Sequence, residues 1–117
     1  MVHDPPLECS FLIPIRRDAS LSDGKEHERS LWPWLDAELY RQFGGGYQAE
    51  GFYQGFYKDP DTGERVSDRC LKYFVAMPES QVDQLRQLLQ GVCDLFQQKC
   101  VYLNVAGHVE FVRPSDE

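Results

Sequence analysis

The sequence predicts one α+β domain in the order β-α-β-β-α-β. Three observations carry that prediction. Segments 31–43 and 82–96 repeat apolar residues every three or four positions, as amphipathic helices do. Four other segments alternate apolar and polar residues or are dense in aromatics, as strands with one buried face are. The chain has 117 residues, 42% of them apolar and 26% charged, with no repeat or linker to divide it. That is enough for one buried core. The prediction is a single domain over 1–117, with an ordered core of about 7–112 between polar or proline-bearing ends.

The first strand runs from Leu7 to Ile15, with Leu7, Cys9, Phe11, Ile13 and Ile15 on one face. Residues 18–29, "DASLSDGKEHER", form a long polar loop. Ser30 caps the first helix, and Pro33 is tolerated because N–H groups of the first turn have no intrahelical partner. Leu31, Leu35, Leu39 and Phe43 recur every four residues with Trp34 beside them, and Gly44 to Gly46 close the helix. That assignment removes these glycines as a phosphate cradle. They follow a helix instead of preceding one, and no Lys-Ser or Lys-Thr comes after them.

Tyr47 to Lys58 reads as an aromatic second strand, and "DPDTGE" at 59–64 as the turn of a long hairpin. The return strand covers about Val66 to Met77, with Leu71, Tyr73, Val75 and Met77 on one face. Ser80 and Asp83 have capping-box spacing ahead of the second helix, whose stripe is Val82, Leu85, Leu89, Val92 and Phe96. A last strand from Cys100 to Val112 places Val101, Leu103, Val105, Val109 and Phe111 on one side, with a bulge or bend at Gly107. Two right-handed split βαβ units in this order give a ferredoxin-like fold, a four-stranded antiparallel sheet with both helices on one face.

Charge and composition exclude several functions. A net charge of −7 with Arg16-Arg17 as the one adjacent basic pair argues against nucleic acid. "KYFVAM" at 72–77 echoes the end of an RNA-binding strand signature but lacks its internal glycine. No apolar run is long enough to span a bilayer and no secretory signal opens the chain, so the reading is cytoplasmic, away from membranes. Cys9, Cys70, Cys93 and Cys100 show no CxxC spacing. They read as reduced thiols, although Cys93 and Cys100 lie close enough in sequence for a pairing to stay open. The hairpin turn misses the calcium-loop pattern, so no metal and no cofactor is predicted.

His3 and His27 fall in loose segments, leaving His108 with Glu110 on its strand face as the candidate catalytic pair. Phe52 and Phe56 share one face of the second strand, while Tyr47, Tyr53 and Tyr57 share the other. Phe74 has the opposite parity to Leu71, Tyr73 and Val75, so both sheet sides are apolar in places. Such a surplus marks an interaction surface, unless the loop or chain ends cover it. Phe52, Phe56 and Phe74 are the interface candidates for a homodimer, and Arg16, Trp34, Tyr47 and Tyr53 the candidate lining of a small-molecule pocket.

The motifs "FLIPIRRD" at 11–18, "LWPWLDAELYRQFGG" at 31–45, "GFYQGFYKDPDTGERVSD" at 51–68, "YFVAMPE" at 73–79 and "QQKCVYLNVAGHVEFV" at 97–112 cover most of the chain. Their pattern resembles a family of short bacterial proteins of unknown function. The resemblance implies one domain and supplies no activity or site. The functional expectation is a homodimeric interaction or small-ligand-binding module. A small cofactor-free enzyme, isomerase or oxygenase-like on a dimeric ferredoxin-like barrel, is the alternative.

Overall fold

The computed structural model describes residues 5–115. Its elements are β1 (Leu7–Pro14), α1 (Leu31–Phe43), β2 (Tyr47–Gln48), β3 (Tyr53–Lys58), β4 (Arg65–Met77), α2 (Val82–Leu95), β5 (Val101–Val105) and β6 (His108–Val112). The architecture is α+β, an antiparallel sheet with two helices. The sheet has six strands where the sequence predicted four. Their order is β2-β4-β1-β5-β6, with β3 also paired to β4.

Both extra strands come from breaks inside predicted ones. The second strand is interrupted at residues 49–52, where Gly51 takes a positive φ of 75°. The predicted final strand turns back at Ala106-Gly107, whose φ values are 51° and 97°. Positive φ at both central residues makes a tight hairpin turn, and the Asn104 Oδ1 accepts the Gly107 N–H at 2.7 Å. The reversal also shifts the phase. Val109 pairs with Asn104 and Phe111 with Tyr102, so these two leave the side of Val101 and Leu103 for the opposite face.

One side of the sheet carries the core. Cys9, Phe11 and Ile13 of β1, Tyr73, Val75 and Met77 of β4, and Val101 and Leu103 of β5 pack with Leu35 and Leu39 of α1. The buried stripe of α2, from Val82 to Val92, completes it, together with Phe96. The loop 18–29 meets the opposite face only at one end, where Asp18 lies beside Tyr57. His27 packs edge-on against Trp32 and Phe96, at 5.7 and 4.9 Å between centroids, which ties the loop to the helical side.

Helix 31–43 ends as its sequence predicts. Gly44 is left-handed at φ 82°, and its N–H bonds the Tyr40 carbonyl. Neither predicted N-cap forms. Ser30 is itself in helical conformation, and the Leu31 and Trp32 N–H groups already bond the Glu28 and Arg29 carbonyls. Ser80 lies inside a short 3₁₀ turn, Glu79–Gln81, instead of ahead of α2. In the hairpin turn, the Asp59 carboxylate accepts the Asp61 and Thr62 N–H groups while Gly63 supplies φ 74°. Among the described residues all four cysteines are free thiols. No helix there is long and apolar enough to cross a membrane.

Candidate functional site

The sheet opens where β1 ends. The Ile15 N–H to Arg69 carbonyl bond, 2.9 Å, is the last rung between β1 and β4. The chain then leaves β4 and pairs with its own loop, through an Arg16–Glu26 bridge and an Arg17 N–H bond to the Lys25 carbonyl. Residues 65–68 of β4 therefore have β3 on one side and no strand on the other. The space left between segment 14–20 and the β3–β4 hairpin is a cleft of about 920 Å³. That size lies within the usual range for small-molecule sites.

Two ties hold the walls. Buried Gln98 donates to the Arg16 carbonyl at 2.8 Å and to the Phe96 carbonyl at 2.9 Å, fixing the bend in the chain. Lys99 pairs with Asp59 and Asp61 at 3.0 and 2.9 Å, anchoring the hairpin tip to the approach of β5.

The charges in the cleft are unusual. Asp68 is half-buried on β4, and among the described residues it has no basic partner; its one side-chain hydrogen bond comes from the Cys70 thiol at 3.5 Å. Burial raises its carboxyl above the ordinary range, and the thiol bond only partly offsets that. Tyr57 is pushed up to about 12, first by burial and then by the charges of Asp68 and Asp18. Arg16, Arg65 and Arg69 also line the cleft, exposed and without an ion-pair partner among the described residues; Arg65 and Arg69 alternate with Asp68 along β4, so they project from the other side of the strand. Arg65 instead lies over the Phe56 ring at 4.7 Å, and Arg69 over Phe52 at 5.9 Å. Arg17 is spoken for by Asp23 at 3.2 Å.

The sequence-predicted site residues do not converge. Of the four proposed pocket residues, Arg16 alone lines this cleft. Trp34 borders a separate shallow groove between α1 and α2. Tyr47 and Tyr53 share a sheet face, but they sit opposite Phe74 and Cys70, four residues apart along β4. The grouping of Phe52, Phe56 and Phe74 as one interface also fails. Phe74 points to the open face, with Lys72 above its ring, whereas Phe52 and Phe56 lie on the other side beside Arg69 and Arg65. The register separates them: Phe56 pairs with Ser67, an odd position of β4, which faces away from Phe74.

His108 and Glu110 do share a side, but Glu110 is already held by Arg86 through bonds of 2.7 and 3.0 Å. The bidentate guanidinium of α2 leaves the exposed imidazole without that carboxylate as its orienting partner. His3 lies outside the described residues. No group of three His, Cys, Asp or Glu side chains among the described residues is placed to hold a metal.

The residues missed were Asp68, Tyr57, Arg65 and Arg69. A signal was present in "RVSDRC": Asp68 shares its parity with Val66 and Cys70, so a carboxylate sits between two apolar positions.

The fold and cleft define a small α+β protein with an open cleft beside its sheet. No protein-family model matches the chain, and no curated protein does. Two solved structures share its fold. A phage SAM lyase in complex with S-methyl-5′-thioadenosine superposes with a TM-score of 0.72 at 10% identity, over 97% of this chain and 93% of that one. A phage SAM lyase in the apo state gives 0.63 at 10% identity, over 100% and 98%. At that identity the likeness is one of fold.

Proposed function

We propose that this chain binds a small zwitterionic ligand with an aromatic body in the cleft between segment 14–20 and the β3–β4 hairpin. The observation that carries the reading is the pairing of opposite, unsatisfied charges in one concavity. Asp68 lacks a cation, and Arg16, Arg65 and Arg69 lack an anion, among the described residues. Unpaired charge is costly where water is partly excluded, as at half-buried Asp68, while the exposed guanidiniums of Arg16, Arg65 and Arg69 at the strand edge are free to take an anion, so a ligand bearing both signs engages both. Tyr57 on the Asp68 side and Phe56 on the Arg65 side each offer an aromatic ring for its body.

SAM fits that description, with a cationic sulfur, an ammonium, a carboxylate and an adenine. The fold shared with phage SAM lyases makes SAM and S-methyl-5′-thioadenosine the first ligands to test. The enzyme reading is the second one, and the same likeness favours it: the chain cleaves SAM. The strand order supports a ferredoxin-like derivation in which the second and last strands of a β-α-β-β-α-β plan are each broken in two. Four free thiols support a reducing, cytoplasmic setting.

Thermal unfolding of the purified chain with each ligand tests the binding. A ligand at a hundred times its dissociation constant adds about 2.7 kcal/mol to the folded state. SAM is expected to raise the melting temperature, and Asp68→Asn or the double variant R16A/R69A to abolish the rise. The absence of any shift at millimolar SAM and S-methyl-5′-thioadenosine, or a shift that these variants leave intact, overturns the reading. Proton NMR of SAM incubated with the protein separates binding from turnover by the appearance of S-methyl-5′-thioadenosine.

A further inference from the structure

We infer that the sheet face opposite the helices is an interface, covered by a second copy of this chain. Both helices and His27 belong to the other side, and residues 18–20 meet this face only at its cleft end, beside Tyr57 and Asp68. Its side chains alternate out of the core register: Tyr47, Phe74, Leu12, Tyr102, Phe111 and Val109 run across it from edge to edge. Tyr47 is 79% exposed and Phe111 60%, a large aromatic surface to leave in water.

Size and charge identify the occupant. The six strands hold 39 residues in all, and at about 3.3 Å rise and about 4.8 Å spacing they make a face of roughly 600 Å². Two such faces bury roughly 1,200 Å², above the roughly 1,000 Å² that a specific interface needs. Apart from Asp68 in the cleft, the paired strands place two charged side chains on this face, Glu8 and Lys72. That is sparse for a chain that is 26% charged, and depletion of charge is what the centre of an interface shows.

The two charges are also self-complementary. Glu8 lies opposite Ala76 and Lys72 opposite Leu12, so they occupy neighbouring strands four residues apart. Neither has an ion-pair partner among the described residues. Lys72 instead stands over the Tyr53 and Phe74 rings at 5.3 and 4.9 Å. A two-fold axis lying in the interface and crossing midway between them sets Glu8 of each copy against Lys72 of the other, the reciprocal contact of an isologous pair. An unrelated partner would have no reason to carry this pattern; a second copy carries it necessarily. Tyr57 and Asp68 continue the same side of the sheet, so the second copy sits beside the cleft.

Light scattering behind size exclusion tests this on the full chain. The expected mass is twice the 13.6 kDa of one chain. Glu8→Lys and Lys72→Glu are each expected to weaken association at least about tenfold, and E8K/K72E to restore it, because the reversed pair still matches. Phe111→Asp, at an exposed position, provides a further break that leaves the core untouched. Circular dichroism checks that each variant is folded. A dimer, or an even-numbered assembly of such pairs, that the single reversals weaken and the double variant restores supports the inference, and an odd-numbered assembly overturns it. A strict monomer at high concentration, an assembly insensitive to all four variants, or a double variant that stays dissociated overturns it.

Discussion

The His27 Nε2–H donates to the Pro14 carbonyl at 2.7 Å, joining the loop 18–29 to the end of β1 beside the cleft. A carbonyl only accepts, so Nε2 carries the proton and Nδ1 presents a bare lone pair. Nδ1 is buried with no partner. Burial lowers the basicity of this imidazole below its ordinary value, ahead of the opposing bond to Pro14, with Arg17 adding to the lowering.

That pair predicts a pH dependence of stability. A histidine whose folded-state pKa is depressed takes up a proton more readily when the chain unfolds. Its contribution is present above the ordinary value of 6.5 and is lost as pH falls through the folded-state value. Urea unfolding at pH 8, 7, 6 and 5 is expected to show stability falling below about pH 6.5. His27→Gln keeps an N–H for Pro14 and does not titrate, so it flattens that part of the profile. A wild-type slope unchanged in H27Q shows that other groups control it.

Tyr73 is buried and stacked on Phe11, with ring centroids 5.3 Å apart and planes at 10°. Its hydroxyl finds no hydrogen-bond partner. An unsatisfied buried hydroxyl costs about 1–3 kcal/mol, so Tyr73→Phe is expected to leave stability unchanged or raise it by about 1 kcal/mol. Chemical denaturation measures this directly. A loss greater than about 1 kcal/mol means that the hydroxyl has a bridging water as partner.

The turn between β5 and β6 holds an alanine in a left-handed conformation, Ala106 at φ 51°. Asparagine tolerates that region better, and Asn-Gly is the preferred pair for such a turn. A106N is therefore expected to stabilise the fold by about 0.5–1 kcal/mol and to slow unfolding. Thermal melts of the two proteins, run without ligand, decide it. A destabilised variant would mean that the turn depends on something other than backbone preference.

This same turn shows why the sequence disclosed some elements and hid others. Helices 31–43 and 82–95 were legible because each repeats one apolar face and the first stops at Gly44. The hairpin turn was legible because Pro60, Asp59 and Gly63 each have a local role. Ala106 has no such signature; an alanine forced to positive φ is a consequence of strand pairing, and only Gly107 hinted at a bend. The break at 49–52 is hidden for a related reason, since Gly51 also suits an aromatic strand that simply continues. The cleft is less legible still. It exists because β1 stops at Pro14 while β4 runs on to Arg65, a mismatch between strands more than fifty residues apart in sequence. Parity did set Phe74 opposite Leu71, Tyr73 and Val75, but it left open whether the phenylalanines or the tyrosines of the second strand join the core, and it could not tell how far the helices extend over the sheet.

Asp68 carries the last prediction, because it links function to stability. Its folded-state carboxyl is raised above the ordinary 3.8 by burial, with no basic partner among the described residues. A raised carboxyl favours folding while protonated, and that benefit is lost as pH rises through the folded-state value. At pH 7 the ionised group therefore opposes folding in the absence of ligand. Asp68→Asn removes the charge and keeps the shape, so the unliganded variant is expected to melt at the same temperature as the wild type or a few degrees higher, with its ligand-induced rise lost. The stabilisation should shrink as pH falls through the raised folded-state value toward the ordinary 3.8, where the wild-type carboxyl is also neutralised. If D68N instead melts lower without ligand, the carboxylate is a structural partner of Cys70 and the cleft loses its cation-binding wall.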